Sequence, residues 1–490
     1  MRLQNQDVLP FEASQPEAVG IPSQSILRFL QSLEEHRYRL HAFLLMRRGR
    51  LCFAGASAPY TLRTPHRVYS AGKSILALSA CRAMQDGKLQ PTDSIAQYYR
   101  DVLHGDTRFD GMTVDSLLTM RSGQVDDPFL AILKDLDADL ARLFFTVPPV
   151  ETPGKTFRYN NTIPSVLSET VERAVGIPFE AYQQNHFTGP MNAPIFAPTN
   201  TKGQYNPVVM AMSAVTLMKF THLFLEEGLW EGKQLVDPAI IRECVREHTQ
   251  TGMTGNAAGY GWQIWRNAFG GYRMDGGFGQ FGIVLPKQDL AAVILSDMPD
   301  PSFALEAFAD EIVENLSPAP LEADIALQQE LVSCANRMSL APKGGVVHSP
   351  LEERWFAGRY RFLQPAIDLR FLADDEALGI VLTENGDEQT YSCGLNGQWL
   401  LNDRHLLVAP ECTVDNGVYC LDQDACFLTA VWRDHATLEI TSKSLAAQGE
   451  YLYRFMFQDG GITLTYPPHP CRGWPNLAHA EILHGKGAGL

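Results

Sequence analysis

The chain has 490 residues, 45% hydrophobic and 20% charged, more than one compact core normally needs, so two globular domains are expected. Lys and Arg total 40 against 56 Asp and Glu, a formal net charge of -16, which excludes a broad basic surface and with it nucleic acid as a partner. The 9 cysteines are odd in number, scattered and never spaced C-x-x-C, and neither an apolar leader in MRLQNQDVLPFEASQPEAVGIPSQ nor an apolar span is visible, so a soluble, cytoplasmic chain away from membranes is expected.

In chain order, AFLLMRRGRLCFAG at 42–55 is two apolar runs broken around Gly49, the pattern of a β-hairpin. From Ser70 to Lys88 the apolar residues Leu76, Ala80, Ala83 and Met84 recur at helical spacing, and Gly87 supplies a stop. A largely helical middle extends to about residue 245 and includes the amphipathic stretch Ser213 to Glu227. Strand character returns with GYGWQIWR from Gly259, then GGYRM, FGIVLP and LAAVILSD, before a helix from Pro301 to Leu316. This order describes an α+β domain over residues 1–320, an antiparallel sheet flanked by helices plus a helical subdomain, with first and last strands drawn from opposite ends. A connecting helix and linker are expected at 321–350. From about Trp355 the texture changes to short alternating runs such as GRYRF, DLRFL, ATLEI and GITLTY. Turn signals punctuate them at Asn385-Gly386, Asp415-Asn416-Gly417 and Asp459-Gly460-Gly461. Residues 351–490 are therefore read as a smaller all-β domain, a lipocalin-like barrel or a sandwich.

The chemistry is carried by Ser70-Ala71-Gly72-Lys73, the one S-x-x-K in the chain. An S-x-x-K opening a helix puts a hydroxyl and an amine one turn apart on one face, close enough for the amine to take the hydroxyl proton. The nucleophile would also sit beside free backbone N–H groups and the positive end of the helix dipole, which favour a developing oxyanion. An ordinary lysine, with a pKa of ~10.4, is a poor base at neutral pH; burial against Leu76 would lower that value. A second motif, Tyr159-Asn160-Asn161 in PGKTFRYNN, is the one Y-x-N in the chain and follows the turn at Pro153-Gly154. In an extended loop both outer side chains can face one cleft, Tyr159 to exchange a proton with the leaving group and Asn161 to hold a substrate carbonyl or Lys73 itself. The alternative for this segment is a core tyrosine with an Asx-type turn.

With these residues in hand, the chain resembles the serine β-lactamase and penicillin-binding D,D-peptidase superfamily, in its class C β-lactamase and family VIII esterase branch. The resemblance covers about residues 15–316 and rests on RVYSAGKSI, MTVDSLLTMRSG, PGKTFRYNN and DGGFGQFGIVLPKQDLAAVILSD. It implies a β-lactamase/transpeptidase-like fold, acylation of Ser70, and proton transfers shared by Lys73 and Tyr159. The family's third motif is usually K-T-G or H-x-G on the strand lining the cleft; here Asp275-Gly276-Gly277 stands in its place. A cation has become an acid, so this position should repel a substrate carboxylate, and weak β-lactam turnover at most is expected. The glycines still allow close backbone approach, and the Phe278 N–H with the Ser70 N–H would form the oxyanion hole.

Other readings fall away on spacing. AGKS at 71–74 is not a phosphate-binding loop, because the position five residues before Gly72 is Arg67 rather than Gly. No G-x-S-x-G elbow exists. The expected function is hydrolysis of a small-molecule ester or amide through an acyl-enzyme, with no metal or cofactor. Tyr260, Trp262 and Phe278 are read either as walls of the acyl pocket or as plain core. D-Amino-acid peptidases of the superfamily also carry β-barrel domains after the catalytic one, which keeps amide cleavage open. The rival function is a non-catalytic ligand-binding or sensor protein on the same scaffold. Association into a homo-oligomer stays open.

Overall fold

The computed structural model describes residues 9–129, 139–197, 210–363, 366–373, 376–384, 386–403, 406, 425–445, 450–466 and 481–488. The chain divides into two compact units, Met1–Met338 and Ser339–Leu490.

The first unit is built on an antiparallel sheet. Its long strands are β1 (Leu40–Arg47), β2 (Arg50–Ala56), β3 (Tyr272–Gly276), β4 (Gln280–Leu285) and β5 (Leu290–Ser296), ordered β2-β1-β5-β4-β3. Three short strands continue it past β3: Trp265–Arg266, Gly259–Tyr260 and Thr249–Gln250. The expected hairpin is β1–β2, and the β1–β5 pairing joins the two ends of the domain. Strands β1, β4 and β5 are buried along their whole length, because helices cover both faces. Alternation then splits each strand between two cores. Ala42, Leu44 and Met46 face one with Val293 and Leu295, while Phe43 and Leu45 face the other with Ala292 and Ile294.

On the first face lie α2 (Ala71–Gln85), α3 (Ile163–Val175) and α4 (Ala214–Leu225). On the second lie α1 (Ser23–Glu35), α6 (Ser302–Glu311) and α7 (Ile325–Arg337); α5 (Pro238–Val245) packs beside α2. The helix expected to connect the domains, α7, thus packs on α1 and β2 of the first unit. Buried Glu17 fixes it, accepting hydrogen bonds from the Ser23 N–H and from Gln328 Nε2 at 2.8 and 2.7 Å. Helix α2 is small-residue rich and buried from Ala71 through Cys81, on every side rather than along one stripe.

GYGWQIWR is not one strand. It breaks after Tyr260, where Gln263 takes φ 56° and its side-chain amide donates to the Leu117 and Leu118 carbonyls at 2.9 and 3.0 Å, while Ser74 Oγ donates to the Gln263 carbonyl at 2.5 Å. The segment thereby buckles to tie α2 to the end of the 114–118 helix.

Among the described residues the second unit is a meander of ten strands: β6 (Arg359–Leu363), β7 (Ala366–Ala373), β8 (Ala377–Glu384), β9 (Asp387–Gly394), β10 (Leu400–Asn402), β11 (Cys426–Trp432), β12 (Thr437–Ser444), β13 (Glu450–Gln458), β14 (Gly461–Tyr466) and β15 (Glu481–Ala488). Strand β15 pairs with both β6 and β14, and Gly394 of β9 bridges Thr429 of β11, so the sheet curls into a nearly closed barrel and the sandwich alternative is set aside. An aromatic cluster of Trp432, Phe371, Phe455 and Phe457 fills it. Of the expected turns, Gly386 and Gly460 take φ near 90° between paired strands, whereas Asn385 and Asp415-Asn416-Gly417 lie outside the described residues. Among the described residues no helix is long and apolar enough to cross a membrane.

Candidate active site

The chain enters α2 under constraint. His66 and Arg67 pair with Met212 and Ala211, the Val68 N–H donates to the Met210 carbonyl at 3.0 Å, and Tyr69 is forced to φ 48°, a left-handed conformation that costs a non-glycine residue. The next residue, Ser70, is the N-cap of α2 and is half-buried. The Ala71, Gly72 and Lys73 N–H groups are tied to the Val68, Tyr69 and Ser70 carbonyls, and no hydrogen bond among the described residues uses the Ser70 N–H.

Lys73, 3% exposed, reaches back one turn so that Nζ lies 2.8 Å from Ser70 Oγ and donates to Asn161 Oδ1 at 3.1 Å. Burial lowers the Lys73 pKa to about 7, and the negative charge of Asp127 opposes that shift. Tyr159 completes the group. Its ring centroid is 4.9 Å from Nζ. Burial raises the phenol pKa, the nearby Ser70 hydroxyl lowers it, and the charges of Asp275 and Asp127 raise it further, so Tyr159 keeps its proton at neutral pH. The structure therefore brings Ser70, Lys73, Tyr159 and Asn161 together.

The middle residue of Tyr159-Asn160-Asn161 turns the other way. Asn160 is buried, and its Oδ1 accepts from the Thr162 and Ile163 N–H groups at 2.9 and 3.2 Å, which is the Asx-type turn of the alternative reading, while Tyr159 is half-buried rather than core. Asp127 clamps the same loop, accepting from the Asn161 N–H at 2.6 Å and from the Thr162 hydroxyl at 3.1 Å. Sequence reasoning missed Asp127; it is one acid of the pair Asp126-Asp127, and no motif spacing singles it out.

Asp275-Gly276-Gly277-Phe278 runs from the end of β3 into the β3–β4 turn, beside the nucleophile. A Cβ on Gly276 would come within 2.0 Å of the Val68 carbonyl oxygen, so glycine is required there by close approach. Gly277 faces the Tyr69 ring, and Phe278, at φ 66°, packs its ring 5.4 Å from that of Tyr69. Buried donors hold this turn from behind. Ser296 Oγ and the Met298 N–H donate to the Phe278 carbonyl at 2.6 and 3.1 Å, and Gln280 Nε2 donates to the Gly277 carbonyl at 3.3 Å. In a trans peptide the Phe278 N–H lies opposite that Gly277 carbonyl.

Asp275 makes no hydrogen bond to Ser70, Lys73 or Tyr159. Its Oδ2 is held by Arg273, at 2.7 Å from Nε and 2.6 Å from a terminal nitrogen, so the acid that stands in the third motif is one half of an ion pair. For two of the three aromatics the core alternative holds. Tyr260 and Trp262, 1% and 3% exposed, are core residues, Trp262 with its indole N–H donating to Asp115. The half-buried Trp265 stacks on Tyr159 at 5.9 Å and 23°.

Solved structures share this architecture. A 6-aminohexanoate-dimer hydrolase assignment from Bacillus anthracis aligns at 17% identity and TM-score 0.51, covering 62% of this chain and 86% of the other. A penicillin-binding protein homologue from Caulobacter crescentus aligns at 16% identity and TM-score 0.50, over 62% of this chain and 100% of the other. An octameric penicillin-binding protein homologue from Pyrococcus abyssi aligns at 14% identity and TM-score 0.48, over 94% and 99%. At these identities the likeness concerns the fold alone. No curated protein matches the chain. The Beta-lactamase family model matches residues 28–313, more than half of the sequence and the whole of the site above, and the chain belongs to that family.

Proposed function

We propose that the protein is a serine hydrolase that forms an acyl-enzyme on Ser70 and cleaves a small ester or amide. The observation that carries this reading is the buried Lys73 amine, 2.8 Å from Ser70 Oγ with its pKa lowered to about 7, since such an amine is a competent base at neutral pH. As Ser70 Oγ bonds to the substrate carbonyl carbon, its proton passes to neutral Lys73. The carbonyl π pair moves onto oxygen, which the Ser70 and Phe278 N–H groups receive. When the tetrahedral adduct collapses, the bond to the leaving group breaks. Tyr159 donates its proton to that group and is resupplied from Lys73. Water then attacks the acyl-enzyme, giving its proton to the same pair, and the acid leaves with Ser70 restored. Asn161 orients the Lys73 amine. β-Lactams, which carry a carboxylate, are poor substrates in this reading, because Asp275 stands where a cation would bind it.

Intact-mass spectrometry after incubation with a fluorophosphonate tests the nucleophile without a known substrate. One adduct is expected on the wild type and none on Ser70→Ala, and Lys73→Ala should label about 10²–10⁴-fold more slowly. An adduct retained in full by Ser70→Ala, or no adduct on folded wild type, would refute the reading and favour a ligand-binding protein.

A further inference from the structure

The Arg273–Asp275 pair is asymmetric in what it offers the cleft. The Arg273 side chain is 4% exposed and its donors are spent: on Asp275 Oδ2, and through a terminal nitrogen on the Asn256 carbonyl at 2.7 Å and Asn267 Oδ1 at 3.0 Å. The Asp275 side chain is 23% exposed, and both Arg273 contacts fall on Oδ2, leaving Oδ1 with no hydrogen-bond partner among the described residues. The cation is sealed in and the carboxylate is presented.

The presented oxygen lies on the strand face that leads to Tyr159, whose phenol feels the Asp275 charge. Arg273 sits directly across from Trp265 in the sheet, so Asp275, two residues on, shares the strand face of the ring that stacks on Tyr159. The neighbouring short strand pairs with β3 at Tyr272 and Arg273 alone, so among the described residues no strand covers the edge beside Asp275. Trp265 packs against Phe157 and Tyr159, all three half-buried, so this strand face carries a group of rings. A carboxylate oxygen beside aromatic faces is a site for a cation, which gains a charge-assisted hydrogen bond and attraction to the ring quadrupoles.

We propose that Asp275 receives a substrate ammonium, so that the site selects amine-bearing esters or amides and disfavours anionic ones. The selection rests on the acyl-enzyme reading of Ser70 and names its substrate class. A net charge of -16 favours the approach of such cations.

Arylboronic acids, which form a reversible tetrahedral adduct on an activated serine, test this without a known substrate. Protection of Ser70 from the fluorophosphonate is measured for phenylboronates bearing aminomethyl, ethyl or carboxyl groups, each in the meta and para positions. The aminomethyl compound should bind about ten-fold tighter than its ethyl isostere in at least one position, with carboxyl the weakest. The preference should shrink as salt is raised and collapse in Asp275→Asn. Labelling without that order in either position, or without protection by any of the six, overturns the proposal and leaves the nucleophile standing. Absence of labelling on wild type removes the acyl-enzyme reading and this proposal with it. The comparison of ligands on wild type decides the matter even if Asp275→Asn fails to fold.

Discussion

Lys73 is under two opposed influences, desolvation that drives off its proton and the Asp127 charge that retains it. Labelling of Ser70 should accordingly rise with pH through a midpoint near 7, as the amine becomes able to accept the Ser70 proton. Asp127→Asn removes a charge that favours the ammonium, so the midpoint should move to lower pH; a stopped-time labelling series from pH 5 to 9 reads the shift. The same residue makes stability depend on pH. With a folded pKa of about 7 against an ordinary 10.5, the unfolded chain binds more protons between those values, so stability contributed by neutral Lys73 is present above 10.5 and is lost as pH falls to 7. Chemical denaturation at pH 7 and 9 measures it, with the higher midpoint expected at pH 9. Ser70, Lys73, Tyr159 and Asn161 were legible in the sequence because each pair is local, one helical turn or two loop residues apart. Asp127 and Trp265 were not, because only the fold brings them to that loop. The charge on Asp275 was legible, but its sequestered partner Arg273 was not, since sharing a strand face does not reveal which of two ions is covered.

At the scale of elements, β3 and the start of α2 are locked by the contact of Gly276 with the Val68 carbonyl. Gly276→Ala places a Cβ 2.0 Å from that oxygen, and backbone rather than a flexible side chain must move. A loss of about 1–3 kcal/mol is expected, together with slowed labelling of Ser70 two residues beyond Val68. Urea unfolding and fluorophosphonate kinetics on the same sample check both. The hairpin β1–β2 and helix α2, which ends just before Gly87, could be read from apolar periodicity and breakers. GYGWQIWR could not, because its strand-like composition is overridden at Gln263, whose side chain caps carbonyls of a helix more than a hundred residues earlier in the chain.

In the whole molecule, the sheet of the first unit separates two cores, and the second is centred on phenylalanines packed at tilted and edge-on angles. Phe43 lies 4.8 Å from Phe29, 5.4 Å from Phe53 and 6.5 Å from Phe308. Phe43→Ala should cost about 3–5 kcal/mol, seen as a lowered urea midpoint by circular dichroism. The all-β character of the second unit was readable from its alternating runs, whereas barrel or sandwich was not, because closure depends on Gly394 meeting Thr429 far along the chain. Helix α2 belongs to site and core together, with the nucleophile at its mouth and its next eleven residues buried. Substitutions along it will lower the amount of soluble protein as well as turnover, so a survey of variants scored by activity in cells would report folding defects as catalytic ones. Only rates normalised to titrated active sites would tell an idle enzyme from a missing one.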